Sequence, residues 1–378
     1  MKKKILSIAL CATMVASMTA CGLKSPDTTT AAATQAATEK AAEAATEKAG
    51  ETETKAEAEA GSEAAGDLAS AANDPKVVLV YAEVNPLDTI VGQVATKFKD
   101  RVEELSGGSI EIDIQASGVL GAEGDVLDNI VGGVGTIDMA RLSVSTMTAY
   151  GVQKSTLLAL PYEFVSRDHF WNFAESDIAQ EFLDEPRELG LGMQGLFLGE
   201  EGFRHIFTRS EIKGLEDLKG MKIRVSTDPT MVAMIEAFGA SATVVSYNEL
   251  YSSLQTGVVD GAENPINNYK SNAFNEVAPY LILDGHQLGV CEVVITTASW
   301  DKLTDAQKAC MKQAAAECAE FNKQISEQGE QDALAELGDS ITVIPVEDKT
   351  PWIEACADLI ADATKDYQDL HKAIQELQ

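Results

Sequence analysis

From Pro75 onward, short apolar runs rich in β-branched residues alternate with amphipathic stretches, and this order constrains the fold more than any other feature. "KVVLVYAEV" reads as a strand and is followed by Asn85-Pro86, a helix-start signal. A helix is expected from about Thr89 to Leu105, ending at Gly107-Gly108. "SIEIDIQ" then alternates strictly, with Ile110, Ile112 and Ile114 on one face. A second helix, from about Glu123 to Val131, precedes a glycine turn at 132–135 and the strand-like "TIDMARLSV". A β-α-β-α-β order predicts a largely parallel sheet with helices on both faces. The 378 residues suffice for two to three domains at about 150 residues each, and 45 % hydrophobic residues supply their cores.

The N-terminus points outside the cytoplasm. Lys2, Lys3 and Lys4 precede an apolar run, Ile5 to Ala20, that is too short for an ordinary membrane-spanning helix of about 20 residues. Met18-Thr19-Ala20-Cys21-Gly22 resembles a bacterial lipobox, which implies cleavage before Cys21 and a lipid on its thiol. Residues 1–20 are therefore expected to be a signal peptide. Residues 21–74 are then a lipidated Cys followed by a disordered tether of Ala, Thr and Glu, with too little apolar surface to offset ordering entropy. The mature protein would sit on the outer face of the cell membrane or in the periplasm. A formal charge of −31 argues against nucleic acid as a partner, because phosphates need Lys and Arg. It does not exclude an anionic ligand held by a local pocket field.

Enzyme motifs are sparse. His169, His205, His286 and His371 are scattered, which leaves no obvious metal site or histidine-based triad. Gly190, Gly192 and Gly195 spell G-x-G-x-x-G, but after a helical stretch and before an apolar strand, the reverse of a dinucleotide site. No P-loop, H-E-x-x-H, G-x-S-x-G or EF-hand spacing is present. No cofactor and no metal are expected, and the chain reads as a non-enzyme. Cys291, Cys310, Cys318 and Cys356 lack metal-ligand spacing, and the sequence cannot pair them.

The informative region is 200–290. Met221, Ile223 and Val225 alternate with Lys222 and Arg224, as in a strand. Asp228-Pro229 then reads as an N-cap with proline at the first helical position. Arg224 thus lies near the carboxyl end of a strand and just before a helix, where open α/β sheets bind ligands. Ser246 to Glu249 has the form of a capping box. "GVVDGAENP" gives a short strand whose exit carries Glu263, Asn264 and Pro265. An Arg offers a planar, bidentate fork to a carboxylate. On residue type alone, Arg224 could equally be a surface strand residue, Asn264 a turn former, Tyr247 a packing residue and Arg204 a structural ion-pair partner. Arg141 and Glu83 end strands that face the same expected cleft.

The segments "GFRH", "DLKGMKIRV", "SYNELYSSLQTGVVDGAENP", "GTIDMARLS" and "LPYEF" resemble, in order and spacing, the solute-binding proteins of TRAP transporters, the DctP-like family. The likeness covers about 75–378. It implies an α/β, two-lobed, periplasmic-binding-protein-like fold with hinge strands and a long helix spanning both lobes. The first lobe would comprise 75–200, completed by about 290–330, and the second 201–289, completed by about 331–378. "TDAQKACMKQAAAECAEFNKQISEQGEQDALAEL" suits the long helix, with Thr304 and Gln307 as a capping box and Cys310, Ala314, Cys318, Phe321 and Ile325 as its apolar stripe.

The resemblance also implies that Arg224 clamps the solute carboxylate, with Arg204 nearby, Asn264 as a hydrogen-bonding partner and Tyr247 lining the pocket. The implied partners are a small carboxylate solute, TRAP membrane subunits and, through the lipid, the membrane. The ligand is expected to be a sugar acid or a C4-dicarboxylate. Glu83 would repel a second carboxylate, which tilts the reading toward a hydroxylated monocarboxylate. A carboxylate sensor and a secreted hydrolase are the alternatives, the latter weakened by the missing nucleophile motif.

Overall fold

The computed structural model describes Leu68 and residues 70–378. The signal peptide expected over 1–20, the lipidated Cys21 and nearly all of the tether expected over 21–74 lie outside the described residues. The packed part begins slightly before the expected Pro75. Ala71 is fully buried in a short turn, and Thr304 donates its hydroxyl hydrogen to the Asp74 carboxylate.

Among the described residues, nine strands form one continuous mixed sheet. They are β1 (Val77–Ala82), β2 (Ile110–Gln115), β3 (Met139–Ser143), β4 (Met193–Thr208), β5 (Lys222–Val225), β6 (Ser241–Val244), β7 (Gly261–Pro265), β8 (Tyr280–Thr296) and β9 (Thr342–Pro345). The order is β2-β1-β3-β8-β4-β7-β5-β6, with β9 also paired to β8. The expected parallel pairing holds at the two ends, in β2-β1-β3 and β7-β5-β6. Between them the long β4 and β8 run antiparallel to each other and to their neighbours β3 and β7. The first half of β4 and the second half of β8 belong to one lobe, and their other halves belong to the second. These are the hinge strands of a two-lobed fold.

The helices used below are α1 (Ile90–Leu105), α2 (Glu123–Val131), α3 (Val144–Thr148), α4 (Arg167–Ala174), α5 (Ala179–Glu188), α6 (Pro229–Ala237), α7 (Leu250–Thr256), α8 (Ile266–Ser271), α9 (Asp305–Leu337), α10 (Thr350–Ala355), α11 (Ala357–Thr364) and α12 (Gln368–Gln375). The start of α1 is set by Thr89, whose hydroxyl accepts the Gly92 N–H, rather than by Asn85-Pro86. The Thr304/Gln307 capping box of α9 forms as its sequence requires. The one expected at Ser246–Glu249 does not: Ser246 makes no side-chain cap bond and a 3-10 turn, Tyr247–Glu249, comes before α7.

The 33 residues of α9 span about 50 Å at about 1.5 Å per residue. Its Met311, Ala314 and Cys318 pack with Phe98, Ile110 and Ile112 in the first lobe. Its Ala333 and Leu337 pack with Phe207, Leu250 and Tyr269 in the second. The C-terminal segment expected in the second lobe over 331–378 divides between the two. Trp352 and Cys356 join Ile223, Met234 and Phe238 in the second lobe. Ile374 of α12 instead packs with Phe170, Trp171 and Phe182, whose helices α4 and α5 flank the first lobe. The four described cysteines are buried and free. Among the described residues, no helix is long and apolar enough to cross a membrane.

The lobes meet where β4 breaks register with β8 between Glu200 and Phe203. Gly202 there has φ +103°, a conformation that L side chains rarely adopt. Just before the break, Asn322 of α9 accepts the Glu200 N–H at 2.8 Å and donates to the Glu200 carbonyl at 3.1 Å. Its amide thus does the work of a neighbouring strand, since buried backbone groups need partners. Gly199 is required beside it, because a Cβ there would lie 2.6 Å from Asn322 Oδ1.

Candidate functional site

A cavity of about 350 Å³ lies where the carboxyl ends of the parallel strands of both lobes face each other. Asn85, Glu123, Arg141, Ser145 and Tyr150 line it from the first lobe. Arg224, Met231, Tyr247, Asn264 and Asn268 line it from the second, and Glu201 and Arg204 line it from the hinge strand β4.

Five of the six residues singled out in the sequence reach this cavity: Arg224, Asn264, Arg204, Tyr247 and Arg141. Glu83 does not line it. Its carboxylate sits behind Arg141, accepting from Nε at 3.0 Å and from Nη2 at 2.6 Å. Arg141 also donates through Nη1 to Glu123 at 2.5 Å and to Glu201 at 2.9 Å. Three carboxylates therefore surround one buried guanidinium, and its charge is spent within the protein. Strand-end position alone placed Arg141 and Glu83 near the cleft but could not show that they pair with each other.

Arg204 is engaged in a similar way. Its Nε and Nη2 hold the Glu263 carboxylate at 2.5 and 3.0 Å, with Glu201 a further 3.7 Å neighbour of Nη1. Burial would raise the Glu263 carboxyl, but the Arg204 guanidinium outweighs it and holds the group at about 2. His286 stands 3.5 Å from Glu263 on its other side and bonds Asp284 through Nδ1 at 2.6 Å. Burial would lower His286, yet Asp284 above all lifts it to about 9. β7 continues to Pro265 against β4, so Asn264 is its next-to-last residue and Glu263 lies within it.

Arg224 differs from the other two. It is 4 % exposed, and its Nε donates to the Val245 carbonyl at 2.8 Å. Its guanidinium lies 5.6 Å from the centroid of the Tyr247 ring. Among the described residues no carboxylate comes within ion-pair distance of it. Burial pulls it below the ordinary arginine value, as expected of a cation removed from water without a counter-ion. Arg224 pairs in register with Ala262, two residues before Asn264. Both residues are therefore next to last in adjacent parallel strands. Asn264 is buried and its Nδ2 lacks a partner among the described residues. The outer nitrogens of one guanidinium and a free amide N–H₂ thus line the same cavity.

Sequence reading missed Glu201, Asn268, Glu123 and Asn85. Asn268 follows Asn264 by four residues in "ENPINNYK", at the first turn of α8, so the rule that found Asn264 extends to it. Glu201 donates nothing and accepts from Asn268 Nδ2 at 3.1 Å. It is hidden in "GEEGF", a polar stretch that looks like a turn.

A two-lobed α/β chain with hinge strands, a long bridging helix and a polar cavity at the lobe junction is a solute-binding protein in architecture. The model of the DctP family, bacterial extracellular solute-binding protein family 7, matches residues 81–366, and the chain belongs to that family. A solute-binding protein of Chromohalobacter salexigens is 27 % identical over 289 residues, 76 % of this chain and 84 % of the relative. The C4-dicarboxylate-binding periplasmic protein DctP of Rhodobacter capsulatus is 25 % identical, covering 74 % of this chain and 84 % of the relative. A TRAP periplasmic solute-binding protein from Pseudomonas putida F1, solved with bound D-glucuronate, superposes with a TM-score of 0.75 at 29 % identity, covering 79 % of this chain and 97 % of that one. The family is one of transport rather than catalysis, and its members are extracytoplasmic partners of TRAP membrane subunits.

Proposed function

We propose that this protein captures a hydroxylated monocarboxylate of the hexuronate type and delivers it, chemically unchanged, to a TRAP-type transporter. The observation that carries this reading is the contrast among the three cavity arginines. Arg141 and Arg204 are neutralised by glutamates of the protein, and Arg224 alone has no carboxylate partner among the described residues. A single free guanidinium accommodates a single carboxylate. Four acids line the cavity, Glu123, Asp125, Asp128 and Glu201, against three arginines. A second carboxylate would meet this excess of negative charge. Hydroxyl groups would instead meet acceptors and amides, Glu201, Asn268 and Asn85 among them. The glucuronate held by the Pseudomonas putida relative is of this chemical type.

A thermal-shift series tests the reading. D-glucuronate or D-galacturonate, at 100 times its dissociation constant, is expected to stabilise the protein by about 2.7 kcal/mol. Succinate at the same concentration should do markedly less. A larger shift with succinate would replace the monocarboxylate reading by a dicarboxylate one. The reading includes anchoring through a lipid on Cys21 at the outer face of the membrane. It predicts that Cys21→Ala moves the protein from the membrane to the soluble fraction.

A further inference from the structure

Arg224 and Asn264 are buried at the junction of the lobes, so whatever crosses the cleft besides the solute helps set its residence time. One contact stands out. Asp228 is the N-cap of α6 in the second lobe, and its Oδ1 accepts the Thr230 N–H at 2.9 Å. The same oxygen lies 2.9 Å from the hydroxyl of Thr148, the last residue of α3 in the first lobe, whose one hydrogen has the Ser145 carbonyl, also at 2.9 Å, as its alternative acceptor. The Asp228 Oδ2 is buried and has no hydrogen-bond partner among the described residues. Asp228 is fully buried although it carries an acid, and burial pushes its carboxyl up to about 6. An acid covered in this way depends on its hydrogen-bond donors, and the one other than the cap N–H, Thr148, comes from the opposite lobe.

We propose that the Thr148–Asp228 hydrogen bond is a closure latch that slows solute release without touching the solute. The cap to Thr230 lies within the second lobe and survives opening. The bond from Thr148 to Asp228 exists only with the lobes together; with the lobes apart the hydroxyl is left to the Ser145 carbonyl of its own helix. Hydrogen bonds to ionised acceptors are about twice as strong as neutral ones. A contact formed after encounter acts on dissociation rather than association. Thr148 is therefore a positioning residue for the closed state.

The inference rests on capture of a sugar acid, and its test uses D-glucuronate as probe. Association and dissociation rates are measured by stopped-flow fluorescence. Thr148→Val should raise the dissociation rate about tenfold, leave association within about twofold, and leave the ligand-free melting temperature unchanged. Thr148→Ser, which keeps the hydroxyl, should restore slow release. Asp228→Ser retains a good N-cap on a shorter side chain, so adding Thr148→Val to it should have no further effect. A dissociation rate for Thr148→Val within twofold of wild type, or the same tenfold rise in the Asp228→Ser background, would overturn the latch alone. Failure of the wild type to bind D-glucuronate would overturn the capture reading, and the latch with it.

Discussion

Arg224→Ala is expected to weaken binding of the captured acid by about 30-fold to several thousandfold, while the ligand-free protein melts no lower than wild type. Truncating one partner of a buried, hydrogen-bonded charge pair costs about 2–5 kcal/mol, and each 1.4 kcal/mol is roughly a decade in affinity. The unchanged melting follows from the absence of any carboxylate paired with Arg224 among the described residues, since truncation removes a desolvated cation and one bond to the Val245 carbonyl. Arg224→Lys keeps the charge but loses the planar fork, so it too should bind weakly. Calorimetric titration and thermal melting of both variants check the two halves of this prediction. A marked fall in ligand-free melting would make Arg224 structural and would move the clamp to another residue.

The second large effect is expected on stability. Glu263→Gln leaves Arg204 buried, with only Glu201 at 3.7 Å to answer its charge. Breaking a buried pair in this way destabilises by about 3–5 kcal/mol. The pH dependence separates this cause from a packing defect. The folded Glu263 carboxyl, at about 2, lies below its ordinary 4.5. Its contribution is therefore fully present above 4.5 and is lost as pH falls toward 2. At 1.36 kcal/mol per unit this is about 3 kcal/mol, in line with the mutational figure. His286 is shifted the other way, from 6.5 to about 9, so its contribution is complete below 6.5 and is lost as pH rises through 9. Denaturant titrations across pH should show the Glu263→Gln deficit shrinking as pH falls from about 5 to 2. A deficit that stays constant over that range would point to packing instead.

The outer strands and α9 were legible because their apolar periodicity survives in the sequence: Ile110, Ile112 and Ile114 alternate, and Thr304 and Gln307 cap as written. Arg224 and Asn264 were legible because strand ends before helices are where such sheets bind ligands. Of the hinge strands only the apolar start of β4, Met193 to Gly199, was. β4 contains Gly199-Glu200-Glu201-Gly202 and β8 contains Asp284-Gly285-His286, stretches that read as turns. Their charges are buried inside the sheet because partners neutralise them, most of them distant in sequence: Arg167 for Glu200, Arg141 for Glu201, and for Asp284 both the nearby His286 and the distant His205. The same reason hid the state of Arg141. Residue type and local spacing carry no information on a partner 58 positions away.

If Arg224 meets the one carboxylate of the solute, that group is what separates the solute from a neutral sugar. Calorimetric titration of the wild-type protein with D-glucuronate and with D-glucose tests it most directly, because glucose keeps a hydroxylated ring and lacks only the charged end. Glucose in the closed cleft would leave the buried guanidinium unpaired, a penalty that a site built on polar contacts exacts in full. One-to-one binding of D-glucuronate is expected, with no saturable binding of glucose at concentrations a thousandfold higher, a gap of about 4 kcal/mol. Binding of the two with similar affinity would contradict it.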